Sequence, residues 1–419
     1  MASASFWRYE NKLLIILCLG WGFLFLDRLA INYLMPFIVT DINLSSTQIG
    51  FIAGAFSITW ALSSFFGGML GDLLGRRKAL LILFILLFSL SSFLTGLAST
   101  FVVLLLIRMF MGLVEGPYFP IGATLMSVAS SERRRGFNIG VLQNFPSNFL
   151  GGTLGPIILV ALATAVGWRY TFFLTLLPGL LVAFLVWRYV KDPQIPVEAS
   201  PLSGGETSQS KETVRIVDVF KYRNMWLCFA IGIFFIPWYT LLFTFSPLYL
   251  TEVKAISPEV MSYIMAAIGI GSAVWGFIVP TISDRWGRKP TFILFALISM
   301  LAPLSMIFFN GPAWLLWLLV FIGSTGPGCS ALYMTIIPSE TIPPKLTGTA
   351  VGLAVGIGEI IGGFGIVTLG GALGDIYGYV APLVISAISA LIMAFIALFL
   401  IETAPIKVKA QRDITVSQA

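Results

Sequence analysis

Twelve long apolar runs limit what this chain can fold into more than any other feature. They lie at about 13–38, 48–70, 79–98, 101–126, 137–165, 170–190, 225–250, 259–283, 291–309, 313–338, 346–371 and 381–401. A bilayer's hydrocarbon core is about 30 Å thick, which ~20 helical residues cross. Lipid offers backbone N–H and C=O groups no partner, so helices are the way such runs are satisfied. The chain is 58% hydrophobic and 11% charged, against about 25% charged in soluble proteins. That excludes an ordinary soluble enzyme, and also a disordered chain, which would be poor in apolar residues and rich in charge. The one long polar stretch, 191–223, divides the runs six and six. The expected architecture is an all-α membrane protein of twelve transmembrane helices in two six-helix halves. Residues 1–190 form the first bundle, 191–223 a cytoplasmic linker, 224–402 the second bundle and 403–419 a cytoplasmic tail.

A net charge of +6 could suggest nucleic acid, but the bases recur in short loops, as a topology signal does. With the N-terminus inside, Arg76, Arg77, Lys78, Arg133, Arg134, Arg135, Arg285, Arg288 and Lys289 all fall on the cytoplasmic side, and only Arg169 and Lys254 outside. Both termini are therefore expected in the cytoplasm of a bacterial or archaeal cell, the chain sitting in the plasma membrane as a monomer. Residues before Lys12 lack a cleavage pattern, so 13–38 reads as a retained span. There is no histidine, and Cys18, Cys228 and Cys329 are far apart. No metal, cofactor or disulfide framework is expected, and no phosphate-binding loop points to an ATP-driven engine. An integral-membrane enzyme would need a nucleophile beside a base, and none is visible.

The halves repeat a loop. Gly68-Met-Leu-Gly-Asp72-Leu-Leu-Gly75-Arg76-Arg77 follows the second run, and Pro280-Thr-Ile-Ser-Asp284-Arg-Trp-Gly287-Arg288-Lys289 follows the eighth. The aspartate ends a helix, the glycine permits a tight turn, and the bases hold the next helix end at the membrane face. This pattern resembles the signature loop of the major facilitator superfamily, with Pro280 in place of the opening glycine of the second copy. The resemblance implies the pseudo-symmetric major facilitator fold, and for Asp72, Arg76, Arg77, Asp284 and Arg288 a role in gating.

Charges within spans are costly and usually functional. Here they are Asp27, Arg28, Arg108, Glu115 and Glu359. At 1.5 Å per residue the three carboxylates fall roughly 18–20 Å into their spans, near the midplane, where transporters place substrate and ion sites. Arg108 and Glu115 share a helix face but stand ~10 Å apart, so each needs a partner on another helix, and Asp27 and Arg28 are the natural ones. Glycines 348, 352, 356, 358 and 362 recur at a spacing that favours close helix contact.

Leu26-Asp27-Arg28-x-x-Ile-Asn32, with Arg108 and Glu115-Gly-Pro-Tyr-Phe-Pro120, resembles the anion:cation symporter branch of that superfamily, which includes sugar-acid transporters. The resemblance implies that Arg28 contacts a substrate carboxylate, that Asp27 and Glu115 take up protons, and that Arg108 tunes Glu115. It also places Gln143 and Asn144 among the polar substrate contacts. Glu359 is a further protonatable candidate. Trp238 and Tyr239 are candidates for lining a cavity, although aromatics in spans more often pack. The expected function is proton-coupled symport of a small organic anion by alternating access. Two rivals stay open: a proton-coupled drug or metabolite exporter, weakly suggested by Gly151-Gly152-Thr153-Leu154-Gly155-Pro156, and an uncoupled anion exchanger. The expected partners are the anion, protons and the bilayer.

Overall fold

In the computed structural model, residues 9–192 and 216–408 are described. The long helices are α1 (Tyr9–Ile42), α2 (Ser46–Leu74), α3 (Arg77–Thr95), α4 (Phe101–Ala129), α5 (Glu132–Val166) and α6 (Trp168–Tyr189), then α7 (Arg223–Val253), α8 (Pro258–Trp286), α9 (Arg288–Phe308), α10 (Ala313–Thr341), α11 (Leu346–Tyr377) and α12 (Val380–Ala397). Among the described residues, α1 and α3 to α12 are each long and apolar enough to cross a membrane, and α2 is 29 residues long. Of the polar stretch 191–223, residues 193–215 lie outside the described residues, as do 1–8 and 409–419.

The halves share local irregularities as well as helix number. Gly75 between α2 and α3 has φ 61°, and Gly287 between α8 and α9 has φ 108°. Both turn in the left-handed region that glycine alone enters cheaply, so the repeated loop bends the chain in the same place twice. The fifth helix of each half widens into a π-type turn at its middle, Ser147–Leu154 in α5 and Gly358–Ile366 in α11. Such bulges cluster at functional sites.

The halves meet at one end and part at the other. At the end away from the termini, α5 and α8 touch backbone to backbone at Gly152 and Gly269, and α2 and α11 do so at Gly50 and Gly371. Neither pair could accept a Cβ without moving a helix. Two helical turns further along α8, a Cβ on Gly276 would meet nothing within 4 Å, and the same holds for Gly136 and Gly140 of α5. On α11, Gly358 packs on Gly232 and Gly362 on Ile233, both of α7, but Gly348, Gly352 and Gly356 face open space. The expected contact stripe is thus only half engaged, because the bundle is open toward the terminal end. The apolar core divides the same way. One cluster runs through the second half and into the far end of the first, while Leu13, Leu17, Leu81, Phe88, Leu125 and Val186 belong to a separate cluster at the terminal end of the first half.

Candidate functional site

Helix α1 carries Asp27 and Arg28 side by side in sequence and on different faces in space. Asp27 is buried, and the hydroxyls of Ser92 on α3 and Thr175 on α6 lie against its carboxyl group. Those hydroxyls also bond each other at 2.7 Å. Arg28 turns instead toward the axis between the halves. Its Cζ stands 4.7 Å from the Phe56 ring centroid, 4.8 Å from that of Trp60 and 5.4 Å from that of Phe25. Asp27 and Arg28 are both expected beside the charges of α4; a step of one residue turns a helix by about 100°, so they reach them from different faces, with Glu115 and Arg108 within electrostatic reach of Asp27 and Glu115 within reach of Arg28.

Arg108 reaches the same ring from α4, with its Cζ 4.8 Å from the Phe56 centroid. Its Nη2 donates to the backbone carbonyl of Arg28 at 3.0 Å, and Nη1 to the sulfur of Met111 at 2.9 Å. Two guanidinium groups therefore share one aromatic ring. Among the described residues no carboxylate stands within ion-pair distance of either. Glu115 is fully buried on the same helix, and neither of its oxygens has a hydrogen-bond partner. Both arginines lie within its electrostatic reach. A buried acid without partners is costly, and such a group takes up a proton or waits for a ligand.

A cavity of about 50 Å³ lies against these groups, walled by Arg28, Asn32, Phe56, Ser57 and Arg108 from the first half and by Tyr239, Phe243 and Thr244 from the second. That volume holds one or two waters. Its walls come from both halves, so it lies at their interface. The Thr244 hydroxyl donates to Asn32 Oδ1 at 3.4 Å, one of the seams that shut it. Glu359 of α11 faces the same region from the second half. Ser57 lies against its carboxyl group, and Oε2 is buried without a partner.

The remaining expected site residues divide. Tyr239 lines the cavity, stacked on Phe235 and tilted against Phe243. Trp238 does not. It is fully buried inside the second half, and its Nε1 donates to the Ser299 carbonyl at 3.1 Å. Gln143 and Asn144 are exposed. The Asn144 side-chain amide donates to the Gly140 carbonyl of its own helix at 3.2 Å. At the loops, Arg288 is buried and donates to Asp284 Oδ1 at 2.6 Å, Ser283 Oγ at 2.6 Å and Glu340 Oε1 at 2.8 Å. Glu402 accepts the Arg288 and Lys289 backbone N–H groups at 2.7 and 3.2 Å. Glu340 and Glu402 were not singled out by sequence reasoning, and their one signal was an acid at each of two helix ends beside basic loops. In the first copy Arg76 is exposed and Arg77 buried, while the Asp72 side chain lies outside the described residues.

The model of the Major Facilitator Superfamily matches residues 17–366. The chain belongs to the major facilitator superfamily. A hexuronate transporter of Bacillus subtilis (strain 168) is 33% identical over 275 residues, a match that spans 63% of each chain and so less than two thirds of that relative's length. A cis,cis-muconate transport protein of Acinetobacter baylyi is 28% identical over 80% of each chain. Among solved structures, a bacterial homologue of the human lysosomal transporter Spinster, inward-facing and occupied, superposes with TM-score 0.73 at 18% identity over 93% of this chain and 96% of that one. A D-xylose-proton symporter gives TM-score 0.71 at 17% identity over 92% and 97%. This major facilitator chain is a multi-pass membrane transporter and not an enzyme.

Proposed function

We propose that this transporter moves a small organic anion across the membrane by alternating access, in symport with protons. The observation that carries this reading is the pair of guanidinium groups on Phe56, lining the cavity with no carboxylate among the described residues in ion-pair contact with them. Arginine keeps its charge in a low-dielectric site and grips a carboxylate with a planar fork. Relatives named for hexuronate, methylmuconolactone and muconate transport support the same substrate class. Two fixed cations in the cavity would repel a cationic drug, which weighs against an exporter of that kind.

In this reading the substrate carboxylate binds Arg28 and Arg108, with Tyr239, Gln143 and Asn144 supplying further contacts from the wall and the open path. Occupied arginines no longer compensate Glu115, and the acid takes a proton. Asp27 and Glu359 are the other carboxyl groups able to carry one. Neutralised, the site permits the halves to rock toward the other opening, guided at the loops by Asp72, Arg76, Arg77, Asp284 and Arg288. Uptake by purified protein in vesicles, driven by a proton gradient, tests this directly. Glu115→Gln should abolish concentrative uptake of a sugar acid while preserving substrate counterflow. Concentrative uptake that survives the change at every pH refutes the coupling, and a chain that binds no carboxylate refutes the substrate class.

A further inference from the structure

The second half presents an acid where the first presents its arginines. Glu359 sits in the π-type turn of α11, 6% exposed, with Oε2 buried and unpartnered. The hydroxyl of Tyr333 on α10 is fully buried and likewise unpartnered. The Tyr333 ring and the backbone next to Glu359 meet at one point of α7, since a Cβ on Gly232 would stand 3.3 Å from Tyr333 Cε2 and 3.9 Å from Gly358 Cα, and Glu359 is within electrostatic reach of Tyr333 and of Arg28. Gly363 supplies the room, because a Cβ there would stand 2.9 Å from Glu359 Oε2 and 2.8 Å from Ser57 Oγ. Ser57 in turn is part of the cavity wall. Leaving polar atoms buried and unbonded costs stability, so this cluster has capacity for a ligand that the folded chain alone does not fill.

We infer that Glu359 and Tyr333 read the end of the substrate remote from its carboxylate, and that they select a hydroxylated monocarboxylate over a dianion. The inference rests on the anion-carrier reading above. A hydroxyl both donates and accepts, so it satisfies Glu359 whether or not that acid holds a proton, and it satisfies the Tyr333 hydroxyl equally. A second carboxylate can only accept. It would meet Glu359 as a like charge, or would need the proton that Glu359 holds. Sites built to hydrogen-bond a substrate hydroxyl discriminate strongly against analogues that lack it. The same cluster therefore sorts anions that the two arginines would hold alike.

The test compares D-glucuronate with cis,cis-muconate, two six-carbon acids with one and two carboxylates, by equilibrium binding to the purified full chain. Wild-type protein should favour glucuronate. Glu359→Gln gives the site an amide donor and removes the charge, so the preference should fall by about tenfold, chiefly through tighter muconate binding. Tyr333→Phe should weaken glucuronate binding and leave muconate binding unchanged. Arg28→Ala should weaken both. If both probes bind in an Arg28-dependent way but neither Glu359→Gln nor Tyr333→Phe alters their ratio, the inference fails and the carrier reading stands. A wild-type preference for muconate overturns it too. If neither probe binds wild-type protein, the anion reading fails and takes this inference with it.

Discussion

Removing the Asp375 carboxylate should open the closed end of the transporter. Asp375 lies near the end of α11 and accepts from the start of α2, in the other half. Its Oδ1 takes the Ser46 N–H at 2.6 Å, and Oδ2 takes the Thr47 N–H at 3.0 Å and the Thr47 hydroxyl at 2.5 Å. Helix α2 also has its own cap. Gln48 N–H donates to Ser45 Oγ at 3.2 Å, and Ser45 N–H to Gln48 Oε1 at 3.0 Å. Asp375→Ala therefore keeps the Ser45–Gln48 pair at the start of α2 and removes the capping that the other half supplies to the Ser46 and Thr47 N–H groups and the Thr47 hydroxyl. Losing a helix cap costs about 0.5–2 kcal/mol, and a carboxylate at an exposed helix N-terminus contributes about 0.3–1 kcal/mol. Water reaches Asp375, so ~1–2 kcal/mol is a fair sum, equivalent to a 5–30-fold shift in a two-state equilibrium. Met35 is 1% exposed and lines the cavity behind this seam. With Cys18, Cys228 and Cys329 replaced and Met35→Cys introduced, the rate of maleimide labelling in detergent reads how often that end opens. Asp375→Ala should raise the rate by the same 5–30-fold. An unchanged rate in a variant of unchanged thermal stability would show that the seam is held by glycine packing alone.

Three further outcomes follow from particular contacts. Gly352→Phe projects into space that is open in this conformation, so substrate binding and thermal stability should persist while transport falls by at least tenfold, because the terminal end can no longer close. Trp238→Phe removes the bond to the Ser299 carbonyl, which should lower stability by about 1 kcal/mol and leave substrate affinity unchanged. A large affinity loss would return Trp238 to the site. Arg288→Ala strands Glu340 with Thr403 as its remaining side-chain partner, at 2.7 Å. Breaking a buried pair costs about 3–5 kcal/mol, less here because Asp284 is exposed, and a melting temperature lowered by several degrees should record it.

The fold was readable because lipid leaves so few alternatives. Run length gave the helices, and the repeated Asp-x-x-Gly-Arg loop gave the two halves. The structure adds the matching positive φ of Gly75 and Gly287. Arg28, Arg108 and Glu115 were readable as well, since charges in apolar runs stand out. What one chain's sequence does not encode is which way each charge turns. Asp27 and Arg28 are adjacent letters, yet one faces Ser92 and the other Phe56. Trp238 and Tyr239 divide in the same manner, one packed on α9 and one on the cavity. The glycines of α11 show a second limit. Their spacing describes a surface fit for close contact, but which part is engaged depends on the conformational state, and here the terminal part is free.

In the proposed symport, these placements give protonation on one side of α1 a route to the substrate at the other. Asp27 and Arg28 ride on one rigid helix. Protonating or ionising Asp27 changes how its carboxyl group meets Ser92 and Thr175, and so how α1 sits against α3 and α6. Any rotation of α1 moves Arg28 relative to Phe56, and with it the Arg28 carbonyl that holds Arg108 at 3.0 Å. Asn32, one turn further along α1, meets Thr244 of the other half, so the same movement strains the seam that shuts the cavity. In the proposed symport Glu115 acts through the field of the arginines, whereas Asp27, itself within electrostatic reach of Glu115 and Arg108, acts in addition through the position of α1. Removing Asp27 with Asp27→Asn should slow the exchange between open states while leaving the first binding step intact, whereas Glu115→Gln should spare exchange and lose coupling. Identical kinetic defects in the two variants would refute this division.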